Sequence, residues 1–143
     1  MNARLLRLSA AGLIFGSLAV ASAVAFAHGD VTPQAVDISG LEKLDAAWLD
    51  ANPYRNNPRA IEIGASAYNQ NCARCHGLGA VSGGIAPDLR FLDKGDSGDE
   101  WFKERVINGS IRNGVTYMPK FDEALGQEAL WAIRTWLETV HED

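Results

Sequence analysis

Cys72-Ala73-Arg74-Cys75-His76 is a complete C-x-x-C-H sequence, the attachment pattern of a c-type haem. Two thiols three residues apart on one helical turn project from the same face, where each can add to a haem vinyl group. The histidine that follows is then placed to bring its imidazole under the ring as proximal iron ligand. A thioredoxin-like redox pair has no use for that histidine and usually lies in a βαβ context, for which the chain shows no pattern. A four-ligand zinc site requires a second pair, and Cys72 and Cys75 are the only cysteines.

Upstream, Arg4 and Arg7 precede an uncharged, Ala- and Leu-rich run from Leu8 to Ala27 that closes on Ala25-Phe26-Ala27. This is the charged start, apolar middle and small-x-small site of a secretory signal, read here as residues 1–27 and cleaved after Ala27. A run of this length also just spans a bilayer as an uncleaved anchor. Its richness in Ala, Ser and Gly, rather than Leu and Ile, favours cleavage, after which no stable membrane insertion is expected. Export to the periplasm suits the motif, because c-type haem is attached on the outer side of bacterial membranes.

The cleaved chain is one domain's worth of residues. Losing Arg4 and Arg7 leaves 11 basic against 18 acidic residues, a formal charge of −7. That balance disfavours nucleic acid and an anionic membrane, and leaves open docking on a protein with a basic patch. Residues 28–57 read as an extension punctuated by Pro33 and Pro53, with one short helix over 41–49 and a turn over Asn52–Pro58. His28, the predicted new N-terminus, offers a copper-chelating amine and imidazole, but a frayed terminus is the favoured reading.

From Pro58 onward the pattern is helical. Pro58 suits a first helical turn, and Ile61, Gly64, Ala65 and Tyr68 recur at helical spacing up to the motif. A second helix is expected over 99–108 with Asp99 as N-cap, and a last one over 127–140. Gly-rich segments join them, and no alternating strand is evident. The 58–143 domain is therefore expected to be all-α.

Met118 is the only methionine beyond the signal, in Asn113-Gly114-Val115-Thr116-Tyr117-Met118-Pro119-Lys120-Phe121. Its thioether is the candidate sixth iron ligand, stiffened by Pro119; the alternative is a buried gap-filler. A ligating imidazole normally donates its other N–H. Gly84-Ile85-Ala86-Pro87-Asp88-Leu89 offers carbonyls for that purpose, or is an ordinary turn. Trp101 is a candidate donor to a haem propionate, or a core residue. Arg74 and Lys120 are candidates for the rim of the haem edge, and His141 reads as an exposed tail residue. Asp93, Asp96, Asp99 and Glu100 read as a solvated acidic loop, since their spacing does not match a calcium-binding EF-hand.

Over residues 58–142 the chain resembles the class I cytochromes c. The resemblance rests on the Gly64/Tyr68 helix, Cys72–Gly77, Ala86-Pro87-Asp88-Leu89, Tyr117-Met118-Pro119 and Leu130-Trp131-x-Ile133-x-x-Trp136-Leu137. It implies three to five helices wrapped around one covalently bound haem c, with the first and last helices crossing near Gly64. It also implies that the Pro87 carbonyl accepts from His76. Class II bundles carry the motif near the C-terminus and do not fit. The wording of Asn52–Arg55, Ile63–Cys72, Gly83–Arg90 and Gln127–Thr135 is similar to the cytochromes c-550 that serve pyrroloquinoline-quinone alcohol dehydrogenases.

That similarity implies a respiratory electron carrier, not an enzyme, with His76 and Met118 as axial ligands. Its donor would be a quinoprotein alcohol dehydrogenase and its acceptor a terminal oxidase or another cytochrome. Another periplasmic dehydrogenase or a bc-type complex is the alternative donor. A haem enzyme or sensor with a labile distal ligand is the competing class, and no distal His or Arg pair speaks for it.

Overall fold

The computed structural model describes residues 32–143. The signal segment, its cleavage site and His28 lie outside the described residues. The order is α1 (Pro58–Asn71), α2 (Ala73–His76), α3 (Gly95–Asn108), a hairpin of β1 (Ser110–Arg112) and β2 (Val115–Met118), and α4 (Asp122–Thr139). Short 3₁₀ turns at Leu78–Ala80 and Leu89–Phe91 lie between α2 and α3.

Helix α1 starts where the sequence says it should. The Asn57 side chain accepts from Arg59 N–H at 2.9 Å and Ala60 N–H at 3.3 Å, and Pro58 occupies the first turn, where its missing N–H costs nothing. Its buried face is Ala60, Ile63, Gly64, Ala67, Tyr68 and Asn71, whereas Ile61 and Ala65 lie at the edge of the stripe. Gly64 fixes the crossing with α4: a Cβ there would stand 2.0 Å from the Ala132 carbonyl oxygen. Beside that crossing the Tyr68 and Trp136 rings lie 4.5 Å apart at 40°. Leu130, Trp131, Ile133 and Leu137 of α4, all at most 1% exposed, form the centre of the core.

Several expectations are corrected. The stretch 41–49 is not a helix. Its backbone is drawn out along α4 because side chains of that helix take its hydrogen bonds. Leu44 N–H donates to Glu128 Oε1 at 3.1 Å, Leu49 N–H to Gln127 Oε1 at 3.3 Å, and Gln127 Nε2 to the Ala47 carbonyl at 3.1 Å. Trp48 seats this strap edge-on against Trp131, centroids 6.0 Å apart.

Helix α3 begins at Gly95, so Asp99 is not its N-cap but a residue of its interior, fully buried. The supposed acidic loop is thus the first turns of a helix. Asp99 Oδ1 meets Arg134 Nε at 2.7 Å, and Asp99 Oδ2 takes Arg55 Nη2 at 2.7 Å and Asn52 N–H at 2.8 Å. No group of three or more acidic, His or Cys side chains among the described residues is arranged to hold a metal ion.

The strand-free expectation also fails over 110–118, where β1 and β2 pair antiparallel with an irregularity between Ser110 and Ile111. Asn113 and Gly114, at φ +51° and +77°, make a two-residue turn of the type that asparagine-glycine favours. Met118 therefore ends a strand instead of sitting in an open loop. His141 is not an exposed tail residue: its Nδ1 lies 3.0 Å from the Leu92 carbonyl, and its side chain is 13% exposed.

Candidate haem site

Cys72 breaks the path between α1 and α2, and its carbonyl accepts from both Cys75 N–H at 3.1 Å and His76 N–H at 2.9 Å. One tight turn thus carries both thiols and the imidazole. Gly77 ends it at φ +82°, where a Cβ would meet the Val81 carbonyl oxygen at 1.8 Å, so only glycine fits. The Tyr68 hydroxyl donates to the Gly77 carbonyl at 2.8 Å and locks the turn back onto α1. Burial pushes that phenol's pKa well up.

Cys72 and Cys75 are not joined to each other in a disulfide. Burial, and then the neighbouring Cys75, push the Cys72 thiol up to about 12. A redox dithiol depends on a thiolate favoured by its surroundings, so this environment argues against one.

The His76 ring is 9% exposed and its Nδ1 stands 2.8 Å from the Pro87 carbonyl oxygen. A carbonyl only accepts, so Nδ1 carries the proton and the Nε2 lone pair is left for a ligand. Burial lowers the pKa of this imidazole more than the Pro87 contact raises it, which keeps the ring in its neutral, coordinating form.

The segment that presents Pro87 is cross-braced in a way not read from the sequence. Asp88 Oδ2 accepts from Ser82 N–H at 3.1 Å and from Arg90 Nη2 at 2.9 Å, while Oδ1 accepts from Arg90 N–H and Nε, both at 3.1 Å. Arg90 Nη1 reaches on to Glu142 Oε1 at 2.6 Å. The Arg90 guanidinium holds the Asp88 carboxyl at about 2. The Asp-x-Arg spacing right after Pro87 is the sequence signal for this brace.

Met118 is half-buried and packs against the core. Gly109, at φ +67°, backs directly onto its carbonyl, where a Cβ would stand 2.5 Å away. Trp101 is not a core residue: it is 39% exposed on α3, with the Arg105 guanidinium 5.5 Å from its ring centre. It lines a cleft of about 350 Å³ together with Pro87, Leu89 and Phe91. Arg74 and Lys120 are both exposed.

These groups fit a covalent haem. One turn carries two thiols outside any disulfide and an imidazole whose Nε2 is left without a partner, and the Met118 thioether lies at the end of β2. Of the nine large hydrophobic residues left exposed among the described residues, eight (Leu78, Val81, Ile85, Phe91, Trp101, Ile111, Val115 and Tyr117) lie on the segments running from α2 to Met118. A flat apolar group set among them would bury surface that is otherwise costly to leave in water.

Fold and donor set together define a c-type cytochrome. The chain belongs to the class I cytochromes c: a family model described as cytochrome c oxidase, cbb3-type, subunit III matches residues 59–137. It is 63% identical to a cytochrome c550 of Pseudomonas aeruginosa over 135 residues, 92% of each chain. It is 34% identical over 85 residues to quinohemoprotein alcohol dehydrogenase ADH IIB of Pseudomonas putida, a match covering 59% of this chain and 12% of the dehydrogenase. The crystal structure of cytochrome cL from Methylophaga aminisulfidivorans shares the fold, with a TM-score of 0.53 at 22% identity over 74% of each chain. Family membership makes the chain a covalent haem c protein and an electron carrier, not an enzyme.

Proposed function

We propose that this chain is a periplasmic one-electron carrier reduced by a quinoprotein alcohol dehydrogenase and oxidised by a terminal oxidase or another cytochrome. In this reading residues 1–27 are a signal removed after Ala27, 28–57 an extension and 58–143 the haem domain. Cys72 and Cys75 form the thioethers, and His76 and Met118 are the axial ligands. When bound, the haem supplies a one-electron ferric/ferrous couple.

The residues around it tune and protect that couple. Pro87 fixes the proton of His76 on Nδ1 and thereby the direction in which Nε2 points. The Met118 thioether, as an iron ligand opposite His76, would favour the ferrous form, raise the potential and keep small ligands off. The Trp101 indole is the candidate contact for a propionate.

The observation that carries the donor assignment is the partial match to a quinohemoprotein alcohol dehydrogenase, which holds a segment similar to this chain within its own polypeptide. The likeness to cytochrome c550, across 92% of the chain, supports the carrier role. The test is stopped-flow mixing of the ferric protein with substrate-reduced dehydrogenase. Fast haem reduction without a mediator is expected. Reduction only through an artificial dye, with ready reduction by a bc-type complex, would transfer the donor role elsewhere.

A further inference from the structure

Two Asn-Gly pairs stand on either side of β1: Asn108-Gly109 at the end of α3 and Asn113-Gly114 in the hairpin turn. An asparagine followed by glycine carries its own reagents. The glycine nitrogen can attack the side-chain amide, and no Cβ crowds the five-membered ring that forms. The fold treats the two pairs in opposite ways.

At the first pair the attacking group is occupied. Gly109 N–H donates to the Arg105 carbonyl at 2.8 Å and closes α3. Gly109 is buried, and an added carbon there would stand 2.5 Å from the Met118 carbonyl oxygen. Ring closure at Asn108 must first break the helix end and lift it off β2.

At the second pair nothing stands in the way. Asn113 and Gly114 are both exposed. Gly114 lies outside the β1–β2 register, and its N–H has no backbone partner among the described residues. A carbon added at Gly114 would meet no atom within 4 Å. The turn holds Asn113 at φ +51°, and the hairpin around it yields readily. Its strands are three and four residues long, exposed from Ile111 to Tyr117, and irregular between Ser110 and Ile111. A two-stranded ribbon of this size opens locally at little cost.

We infer that Asn113 is a site of self-catalysed modification, converted in the folded carrier to aspartate and isoaspartate, and that the isoaspartate form weakens the hold on Met118. The second half rests on the His76/Met118 reading of the haem site. The Gly114 nitrogen gives its proton to water or hydroxide and bonds to Asn113 Cγ. The Cγ–Nδ2 bond breaks and ammonia leaves, closing a succinimide. Water then opens the ring. Addition at Cγ restores the original main chain with an aspartate side chain. Addition at the main-chain carbonyl leaves isoaspartate, in which the chain runs through Cβ. One water enters, one ammonia leaves, and no oxidant or reductant is needed. Isoaspartate adds a methylene to a turn that fixes the pairing of Arg112 with Val115, and Met118 ends the strand that Val115 begins.

The test ages the purified haem-loaded protein in warm, mildly alkaline buffer and follows its peptides by mass and chromatography. The peptide carrying Asn113 should gain a single dalton and split into aspartate and isoaspartate forms. Conversion should quicken as pH rises, because the attacking nitrogen must lose its proton. The peptide carrying Asn108 should convert about tenfold more slowly, held back by the hydrogen bond that ends the helix. Equal rates at the two sites would overturn the assignment. So would an Asn113 that stays intact in the folded protein while the denatured protein converts.

The effect on Met118 is read from the reduction potential. Aged parent should show a second redox wave at lower potential, its share matching the isoaspartate content. Asn113→Gly removes the amide and leaves Gly-Gly, which suits the same turn, so it should age with a single wave. Fresh Asn113→Asp has the new charge on an unaltered main chain and should also give a single wave near the parent's potential. One unshifted wave from extensively converted parent, or the lower wave in fresh Asn113→Asp, would overturn the link from isoaspartate to Met118. The ligand reading is judged apart: if Met118→Ala keeps the parent's potential, that reading fails, while conversion at Asn113 is still read from the peptides.

Discussion

Asp99 and Arg134 meet at 2.7 Å with side chains 0% and 1% exposed, so the core of this cytochrome is closed around an ion pair. Arg55 and Asn52 of the extension reach the same carboxylate, and Glu138 takes Arg55 Nε at 3.1 Å and Arg134 Nη2 at 3.2 Å. The cluster ties extension, α3 and α4 to one point. Removing Arg134 leaves the fully buried Asp99 carboxylate with Arg55, itself 32% exposed, as its one remaining cation among the described residues. Arg134→Ala should therefore cost about 3–5 kcal/mol of stability. Denaturant unfolding, followed by far-ultraviolet circular dichroism, checks this; a shift within error would mean that water takes the place of the guanidinium.

If His76 holds the iron as proposed, Asp88 and Arg90 would act on the haem from one step further out. They hold the Ser82–Arg90 segment in the shape that aims the Pro87 carbonyl at His76. A firm bond to that carbonyl makes the imidazole a stronger donor, which favours ferric iron. Loosening it with Arg90→Ala should raise the reduction potential by some tens of millivolts, on a scale where ~59 mV is tenfold for one electron. Asp88, held at about 2 against an ordinary 3.8, adds stability that is complete above the ordinary value and is lost as pH falls through about 2. The potential of the parent should therefore be insensitive to Asp88 from neutral pH down to mild acid. Spectroelectrochemical titration across that range reads both effects.

Gln127 holds the strap. Its side chain serves Leu49 N–H and the carbonyls of Asp45 and Ala47, so Gln127→Ala strands several partly buried backbone groups. A loss of about 1–3 kcal/mol is expected, with little change in the visible haem spectrum. Equal stability in variant and parent would show that the strap is held by Trp48 packing alone.

The strap also shows what the sequence withheld. Leu41 to Leu49 carries helical spacing, yet its hydrogen bonds are claimed by Gln127 and Glu128, some eighty residues later, and no local pattern encodes that. The start of α3 is hidden likewise, because Gly95-Asp96-Ser97-Gly98 has no apolar period; it is fixed by close packing, a Cβ at Gly98 lying 1.8 Å from the Asp93 carbonyl oxygen. The local determinants are legible: Asn57-Pro58 starts α1, the C-x-x-C-H residues form one turn, and the Pro87 carbonyl stands 2.8 Å from His76 Nδ1. Asn113-Gly114 is an equally local hairpin signal, but its flanking strands, three and four residues long, are too short to show an alternating pattern.

That hairpin decides how firmly the sulfur of Met118 is offered. Gly109 adopts φ +67° and ψ −155°, a conformation nearly closed to other residues, and its Cα faces the Met118 carbonyl so closely that an added methyl would stand 2.5 Å from the oxygen. Gly109→Ala must push β2 away or twist it. Either movement draws the thioether off the position its proposed role requires, while leaving the methionine itself in place. Met118→Ala, which removes the sulfur outright, should lower the potential and let the ferrous protein bind carbon monoxide, which the parent should bind only poorly. Gly109→Ala should give the same signature in part: a smaller fall in potential and partial carbon monoxide binding, both worsening on warming as the strained strand yields. If Gly109→Ala loses stability but keeps the parent's potential and ligand exclusion, the hairpin does not position the ligand. If Met118→Ala itself leaves both unchanged, another side chain holds the iron.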